Sequence, residues 1–309
     1  MDIYKVFLLV LAFALNMTKI YSQQSMDQYK VIFTNPPQHV PTSKTPDAPI
    51  AGNGDIGVTM GGGPDSLRFY IGKNDFWRAY PVYPGGIALP GGLDILFKEL
   101  KDASYYAEQL PGSAEIKATF STKACQVHLS AWVAATANKI IIELRSDKKQ
   151  IAHVRLWTVE GNGAITAHGN SPVTWVSRSF QTTKLLSWPT HIALAMNTEK
   201  DELILNPGET VRLVITVYTN HDTESWKNKA ISEAIQVTDT FIKQLRWEHQ
   251  TWWTNFWRLS HIDIGDTYFE NIISVAISFA CSSRKESSHR VFGDHLLHKM
   301  ELRGVVIII

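Results

Sequence analysis

From Lys30 to Thr219 polar and apolar residues alternate with a period of two, and this pattern excludes most folds. A period of two belongs to a half-buried strand, whose successive side chains face opposite sides of a sheet. Lys30-Val31-Ile32-Phe33, Ser66-Leu67-Arg68-Phe69-Tyr70-Ile71 and Ala114-Glu115-Ile116-Lys117-Ala118-Thr119-Phe120 all show it. So do the runs Gln126 to Val133, Lys139 to Leu144 and Val211 to Val217. Chain breakers separate them: Asn-Pro-Pro at 35–37, Gly-Gly-Gly-Pro at 61–64, Pro-Gly-Gly at 84–86 and 90–92, and Asn-Pro-Gly at 206–208. In Asn206-Pro207-Gly208-Glu209 the proline presets φ and the glycine accepts a positive one, so this is a turn. About a dozen short strands spaced in this way predict an antiparallel sandwich.

The period changes near Thr223. Ser232 to Leu259 contains no glycine or proline and places Ile235, Phe241, Leu245, Trp252 and Phe256 close to helical spacing. Trp247, Trp252, Trp253 and Trp257 bring four of the chain's ten tryptophans into eleven residues of that helix. Such rings bury roughly 150–250 Å² each, so the segment reads as a connector whose surface something must cover. A short extended piece, His261-Ile262-Asp263-Ile264, ends at Gly265. Tyr268 to Ser282 then carries Phe269, Ile272, Ile273, Val275, Ala276, Phe279 and Ala280, the pattern of a helix buried all round. No internal repeat or low-complexity segment interrupts this order.

Composition narrows the class. At 309 residues, 44% hydrophobic and 19% charged, the chain has room for one or two domains stabilised by core burial. A net charge of +1 with scattered Lys and Arg argues against a nucleic-acid surface, and the lack of an acidic block argues against a disordered tail. Lys5 precedes the apolar run Val6 to Leu15, and small Ser22 follows, the layout of a secretory signal peptide cleaved after Ser22. A membrane anchor is the other reading, but spanning takes roughly 20 apolar residues and the run is shorter. The mature chain is therefore expected to be secreted, with no membrane association after cleavage. Cys125 and Cys281 are too few for a disulfide framework and read as two buried thiols in preference to a bridge. The one N-x-Ser/Thr acceptor, Asn16, falls inside the signal segment, so no glycosylation of the mature chain is expected.

Candidate chemistry is sparse. Gly52-Asn53-Gly54-Asp55-Ile56-Gly57 matches the letters of the dinucleotide fingerprint, which requires a strand before it and a helix after it. Pro46 and Pro49 precede it and Val58 to Pro64 cannot be a helix, so a tight turn entering a strand fits better. His289, Asp294, His295 and His298 lack the fixed spacing of metal ligands and read as solvated side chains. No G-x-S-x-G elbow exists, and Cys125 lies in a strand-like run, away from the helix start that would activate a thiolate. Of the carboxylates Asp55, Asp65, Asp75, Asp94 and Glu99, spacing alone pairs none across a glycosidic bond. The candidate binding residues are Asn74, Asp75, Trp77 and Arg78, in Gly72-Lys73-Asn74-Asp75-Phe76-Trp77-Arg78. Polar groups beside an aromatic plate suit a sugar's hydroxyls and its apolar face. A capped turn with Trp77 tucked into the core fits the same residues at least as well.

Four segments resemble glycoside hydrolases in which an N-terminal β-supersandwich precedes an (α/α)6 barrel, family 95 α-L-fucosidases and family 65 enzymes among them. Pro49-Ile50-Ala51-Gly52-Asn53-Gly54-Asp55-Ile56-Gly57 is similar to the group's P-[IL]-G-N-G-x-[IL]-G strand and turn. Leu67 to Trp77 resembles the following strand and its Asn-x-Asp-x-x-Trp loop, two residues shorter here. Trp252 to Ser260 resembles the linker helix, and Tyr268 to Arg284 the first barrel helix. In these families the acid and base sit on barrel loops beyond the first helix, and no residue here matches them.

The resemblance implies a mainly β fold: a supersandwich, a linker helix and the first helix of an incomplete (α/α)6 barrel. The expected divisions are residues 1–22 as signal peptide, 23–222 as sandwich, 223–263 as linker helix and 264–309 as a truncated barrel start. It further implies the non-catalytic N-terminal part of a secreted glycoside hydrolase, inactive alone, with carbohydrate as partner and neither cofactor nor metal. A missing helical barrel is expected to pack on Trp247, Trp252, Trp253 and Trp257. Two alternatives stand beside it. One is a secreted carbohydrate-binding module that holds sugar through Trp77 without turnover. The other is a fragment that fails to accumulate, since an exposed apolar patch of several hundred Å² invites aggregation.

Overall fold

The computed structural model describes residues 26–40, 47–78, 86–182, 189–260, 264–266, 268–270, 272 and 274. The segment 1–22 expected to be a signal peptide, Cys281, the histidines near residue 290 and most of the Tyr268–Ser282 run lie outside the described residues, as does the side chain of Arg78.

Two antiparallel sheets face each other, and two helices lie across the outside of one of them. The 9-stranded sheet runs, in spatial order, Val31–Phe33, Ser104–Leu110, Glu115–Ser121, Gln126–Val133, Lys139–Ser146, Thr210–Thr219, Thr190–Met196, Trp175–Phe180 and Ile165–Gly169. The 6-stranded sheet runs Glu202–Leu205, Gln150–Thr158, Gly91–Leu96, Ser66–Lys73, Ile56–Gly63 and Ile50–Gly52. The mainly β sandwich expected from the alternation is therefore the fold, and Gln126–Val133 is a strand with the bounds read from sequence.

Each strand's period-two pattern decides which face it buries. In Ser66–Lys73 the side chains of Leu67, Phe69 and Ile71 enter the core while Arg68 and Tyr70 point outward. They meet Ile116, Phe120, Leu129, Ile142 and Ile215 of the opposite sheet in one continuous core. Lys139–Ser146 breaks the alternation because it is covered on both sides: Ile140 and Ile142 face the sandwich core, and Ile141 faces a helix. A strand buried on both faces reads as an unbroken apolar run.

The single helix expected over Ser232–Leu259 is two helices, Trp226–Ile235 and Asp239–Leu259. Thr238 makes the break, adopting an extended backbone and accepting a hydrogen bond from Phe241 N at 3.2 Å. Such an N-cap satisfies a backbone donor that an uncapped helix start leaves open. The break also resets the buried stripe. Ile242, Leu245, His249, Trp253 and Trp257 face the protein, whereas Ile235 and Phe241, placed on that stripe from sequence, are exposed. Ile242 and Leu245 cover Trp132, Ile141 and Val214 of the sheet, and Arg246 joins Glu115 and Glu143 from two strands.

His249 is the titratable group in this interface. Its ring lies 4.8 Å from that of Trp132, and Nε2 donates to Ser113 O at 2.7 Å. Burial pushes its pKa down from 6.5 to about 4, against the pull of the Ser113 hydrogen bond and Glu115. Above pH 6.5 the ring is neutral in both the folded and unfolded chain. Below that the unfolded chain takes up a proton that the folded one refuses, so stability falls as the pH drops from 6.5 toward 4. At about 1.4 kcal/mol per pH unit, the loss at pH 5 is about 2 kcal/mol. Urea denaturation at pH 7 and pH 5 should show this difference, and His249→Phe should remove most of it.

Candidate functional site

Gly52-Asn53-Gly54-Asp55 is a turn between the strands Ile50–Gly52 and Ile56–Gly63, so the dinucleotide reading fails on geometry. Gly54 takes φ of 92°, which disfavours any side chain. Asn53 Oδ1 accepts from the backbone N–H of Asp55 at 3.0 Å and of Ile56 at 2.9 Å, a side-chain-closed turn. Its amide then donates to Ala134 O at 2.7 Å, pinning the turn to the other sheet.

The candidate binding loop stands against this turn. Asn74 donates from its side chain to Gly54 O at 2.8 Å, and its backbone N–H reaches Asp55 O at 2.8 Å. Phe76 is buried and stacks on Phe180 with centroids 5.7 Å apart. Trp77 is half-buried and its indole N–H donates to Asn74 O within the loop. The polar atoms of Asn74 and Trp77 that would contact a sugar therefore already hold the loop together.

What the sequence reading missed is the cation between these segments. Lys73 is fully buried, and its ammonium lies 2.7 Å from Asp55 Oδ2, 3.3 Å from Asp75 Oδ2 and 3.3 Å from Asp222 Oδ2. Thr219 adds a hydroxyl bond to Asp75 Oδ2 at 2.9 Å and a backbone bond to Asp222 Oδ2 at 2.9 Å. Lys73 ends a strand of the 6-stranded sheet and Asp55 sits in a turn of it, while Thr219 ends a strand of the other sheet and Asp222 follows it, so the cluster ties the two sheets together. The signal for it was present: in the register that sends Leu67, Phe69 and Ile71 inward, Lys73 is inward too. Asp222, by contrast, follows no pattern, because only chain closure brings it here.

Burial alone would push the Lys73 ammonium toward neutrality, but Asp55, Asp75 and Asp222 more than restore it. It is held charged and is no nucleophile, since protonation removes the lone pair. Asp75 is pushed up by burial and by the neighbouring Asp55 and Asp222, which outweigh the attraction of Lys73. Its Oδ1 is buried and makes no hydrogen bond among the described residues. The arrangement can hold one proton at Asp75 and clamp three chain segments.

The tryptophan run divides. Trp253 and Trp257 are 1% and 2% exposed, packed on Met26, Tyr29 and Ala114, and the Trp257 indole donates to Pro111 O at 3.0 Å. The expectation that these two rings await another domain is thus corrected: the chain covers them itself. Trp247 remains 60% exposed, and Trp252 is half-buried and stacked on Phe256 at 5.5 Å.

No protein-family model and no curated protein matches the chain. Among solved structures it is similar to one named as a kojibiose phosphorylase from the human microbiome, at TM-score 0.54 and 12% identity, covering 82% of this chain and 41% of that one. A bacterial glucoamylase complexed with acarbose gives TM-score 0.44 and 10% identity over 81% of this chain and 44% of its own. The first likeness shows a shared fold. The chain spans about two fifths of the length of that phosphorylase.

Proposed function

We propose that this chain is the non-catalytic sandwich part of a secreted carbohydrate-active enzyme of the family 65 and family 95 kind, inactive alone. The fold shared with the phosphorylase over most of this chain, but less than half of that one, carries the reading. The four resembling segments support it, since they fall in the family's order along the chain.

The local chemistry agrees with a supporting role. Glycosidic cleavage needs an acid and a second carboxylate on either side of the scissile bond. Among the described residues the cations facing Asp94, Glu115 and Glu233 hold their carboxyls below the ordinary range, and Glu143 pairs with Arg212 and Arg246. Asp75, the carboxylate held up, is bound into the Lys73 cluster. The side-chain amide of Asn74, Asp75 Oδ2 and the indole N–H of Trp77 each already hold a partner within the protein. In this reading the loop braces the sandwich, and the exposed side of the long helix, with Trp247, faces a helical barrel.

The test uses the purified chain with aryl α-fucoside, aryl α-glucoside, and a disaccharide with phosphate. No release above the blank is expected with any of them. Turnover at an enzymatic rate that disappears in Asp75→Ala would overturn the proposal. Secretion is checked separately: the chain recovered from culture medium is expected to begin at Gln23.

A further inference from the structure

The outer face of the 6-stranded sheet, turned away from the helices, carries a second cluster that the reading above leaves unused. Strand register builds it. Arg68, Asp94 and Arg155 stand directly opposite one another on three adjacent strands, and Tyr70, Gly92 and Trp157 form the next row. Side chains two residues apart on a strand share a face at roughly 6.6 Å spacing.

The charged row is locked. Arg68 donates from Nε to Asp94 Oδ1 at 2.7 Å and from Nη2 to Oδ2 at 2.9 Å, a two-pronged pair. Arg155 adds Nη2 to Oδ2 at 2.6 Å. Burial disfavours the charge on Asp94, but both arginines outweigh it and hold the carboxyl below its ordinary range. Two guanidinium groups on one carboxylate leave the trio at net +1. Asp94 is buried, whereas the Arg155 side chain is 67% exposed and spends one of its donors on the pair.

The aromatic row is shaped as closely. Tyr70 and Trp157 meet edge to face at 5.8 Å and 82°, and the Arg68 guanidinium lies 5.1 Å from the Trp157 ring centre. Gly92 between them is required: a Cβ there would sit 2.7 Å from Trp157 Cζ2 and 1.8 Å from Phe69 O. Glycine inside a strand weakens it and often marks a place of close approach. A groove of about 700 Å³ runs over the charged row and Tyr70, walled by the segment Pro37–Val40. Its size is in the range of small-ligand sites, roughly 300–1,000 Å³. Asp201 lines the groove as well, so its attraction for anions is local to the arginine row.

We propose that this groove binds acidic oligosaccharides. A sugar ring rests its apolar face on Tyr70, which Trp157 buttresses from the side, and a carboxylate or sulfate on it or on the next ring takes the donors of Arg155 and Arg68. The arginines are already fixed by Asp94, so ordering them on binding costs little. The site lies on the opposite face from the helices and holds whether or not the chain is part of a larger enzyme.

The experiment titrates the full chain at low salt with hexagalacturonate, a heparin-derived hexasaccharide and maltohexaose, reading tryptophan fluorescence and heat. Saturable binding of at least one acidic probe is expected, with none of maltohexaose; the probe that binds tells carboxylate from sulfate. Arg155→Ala, which leaves Asp94 its two-pronged pair with Arg68 and is expected to fold with a modest loss of stability, should weaken binding about tenfold or more. Arg155→Lys should recover only part of that, because an ammonium lacks the planar fork. Lys101→Ala, at an exposed cation outside the groove, should leave binding unchanged. No binding of either acidic probe, equal binding of maltohexaose, or binding indifferent to Arg155→Ala overturns the proposal.

Discussion

Lys73→Met is expected to destabilise the fold by about 3–5 kcal/mol, the range seen when one partner of a buried ionic group is removed. The loss is not that of a single ion pair. Asp55, Asp75 and Asp222 all point at the ammonium, and methionine would leave them facing one another in a site where Lys73 itself has no solvent exposure. Their carboxyl groups would then resist ionisation, and the folded state would bind protons more readily than the unfolded one. The sign follows: the deficit of Lys73→Met is full at neutral pH and shrinks as the pH falls and the carboxylates are protonated. Urea midpoints at pH 7 and pH 4.5 measure both parts. Adding Asp55→Asn to Lys73→Met should return a share of the stability at pH 7, since it removes one of the stranded charges. A Lys73→Met chain as stable as the original at pH 7 would show that the cluster does not clamp the sheets.

Trp253→Ala should cost about as much, roughly 3–5 kcal/mol for a fully buried tryptophan. The ring fills the space between the long helix and the segment at Met26 and Tyr29, with edge contacts to Trp252 and Phe256 at 4.8 and 5.6 Å. Alanine leaves a cavity there that neighbouring rings cannot close without leaving their own contacts. Trp247→Ala is the matched comparison, because it deletes the same side chain from the same helix where it is exposed. It should change stability by no more than about 0.5 kcal/mol. Equal effects at the two positions would contradict the described burial of the helix. The difference also bears on the proposed function: exposed Trp247 would matter to a neighbouring barrel, and buried Trp253 to this chain alone.

Two kinds of residue proved legible in different degrees. The strands were legible because alternation is a local property: Ser66–Lys73 shows its inward and outward sides within eight residues. The helix existed where its composition placed it, yet its buried stripe was rotated. Thr238 caps a second helix start, and a single uninterrupted run over Ser232–Leu259 had hidden that break. At the candidate loop, Asn74, Asp75 and Trp77 could be named as chemically suited to sugar, but their partners could not. Gly54 O comes from a turn 20 residues back and Thr219 from the other sheet, and spacing within the loop announces neither.

The sequence by itself determined the class of fold and the order of its parts, because a period of two and its change to helical spacing are written in neighbouring residues. Only the tertiary structure decided what the polar residues do. Lys73 became a clamp because Asp222, 149 residues away, closes on it. Arg68, Asp94 and Arg155 became a row because antiparallel register sets three distant positions side by side. Charges act through space across a few ångströms, and in a sandwich those few ångströms are set by sheet pairing, which residues adjacent in sequence do not encode.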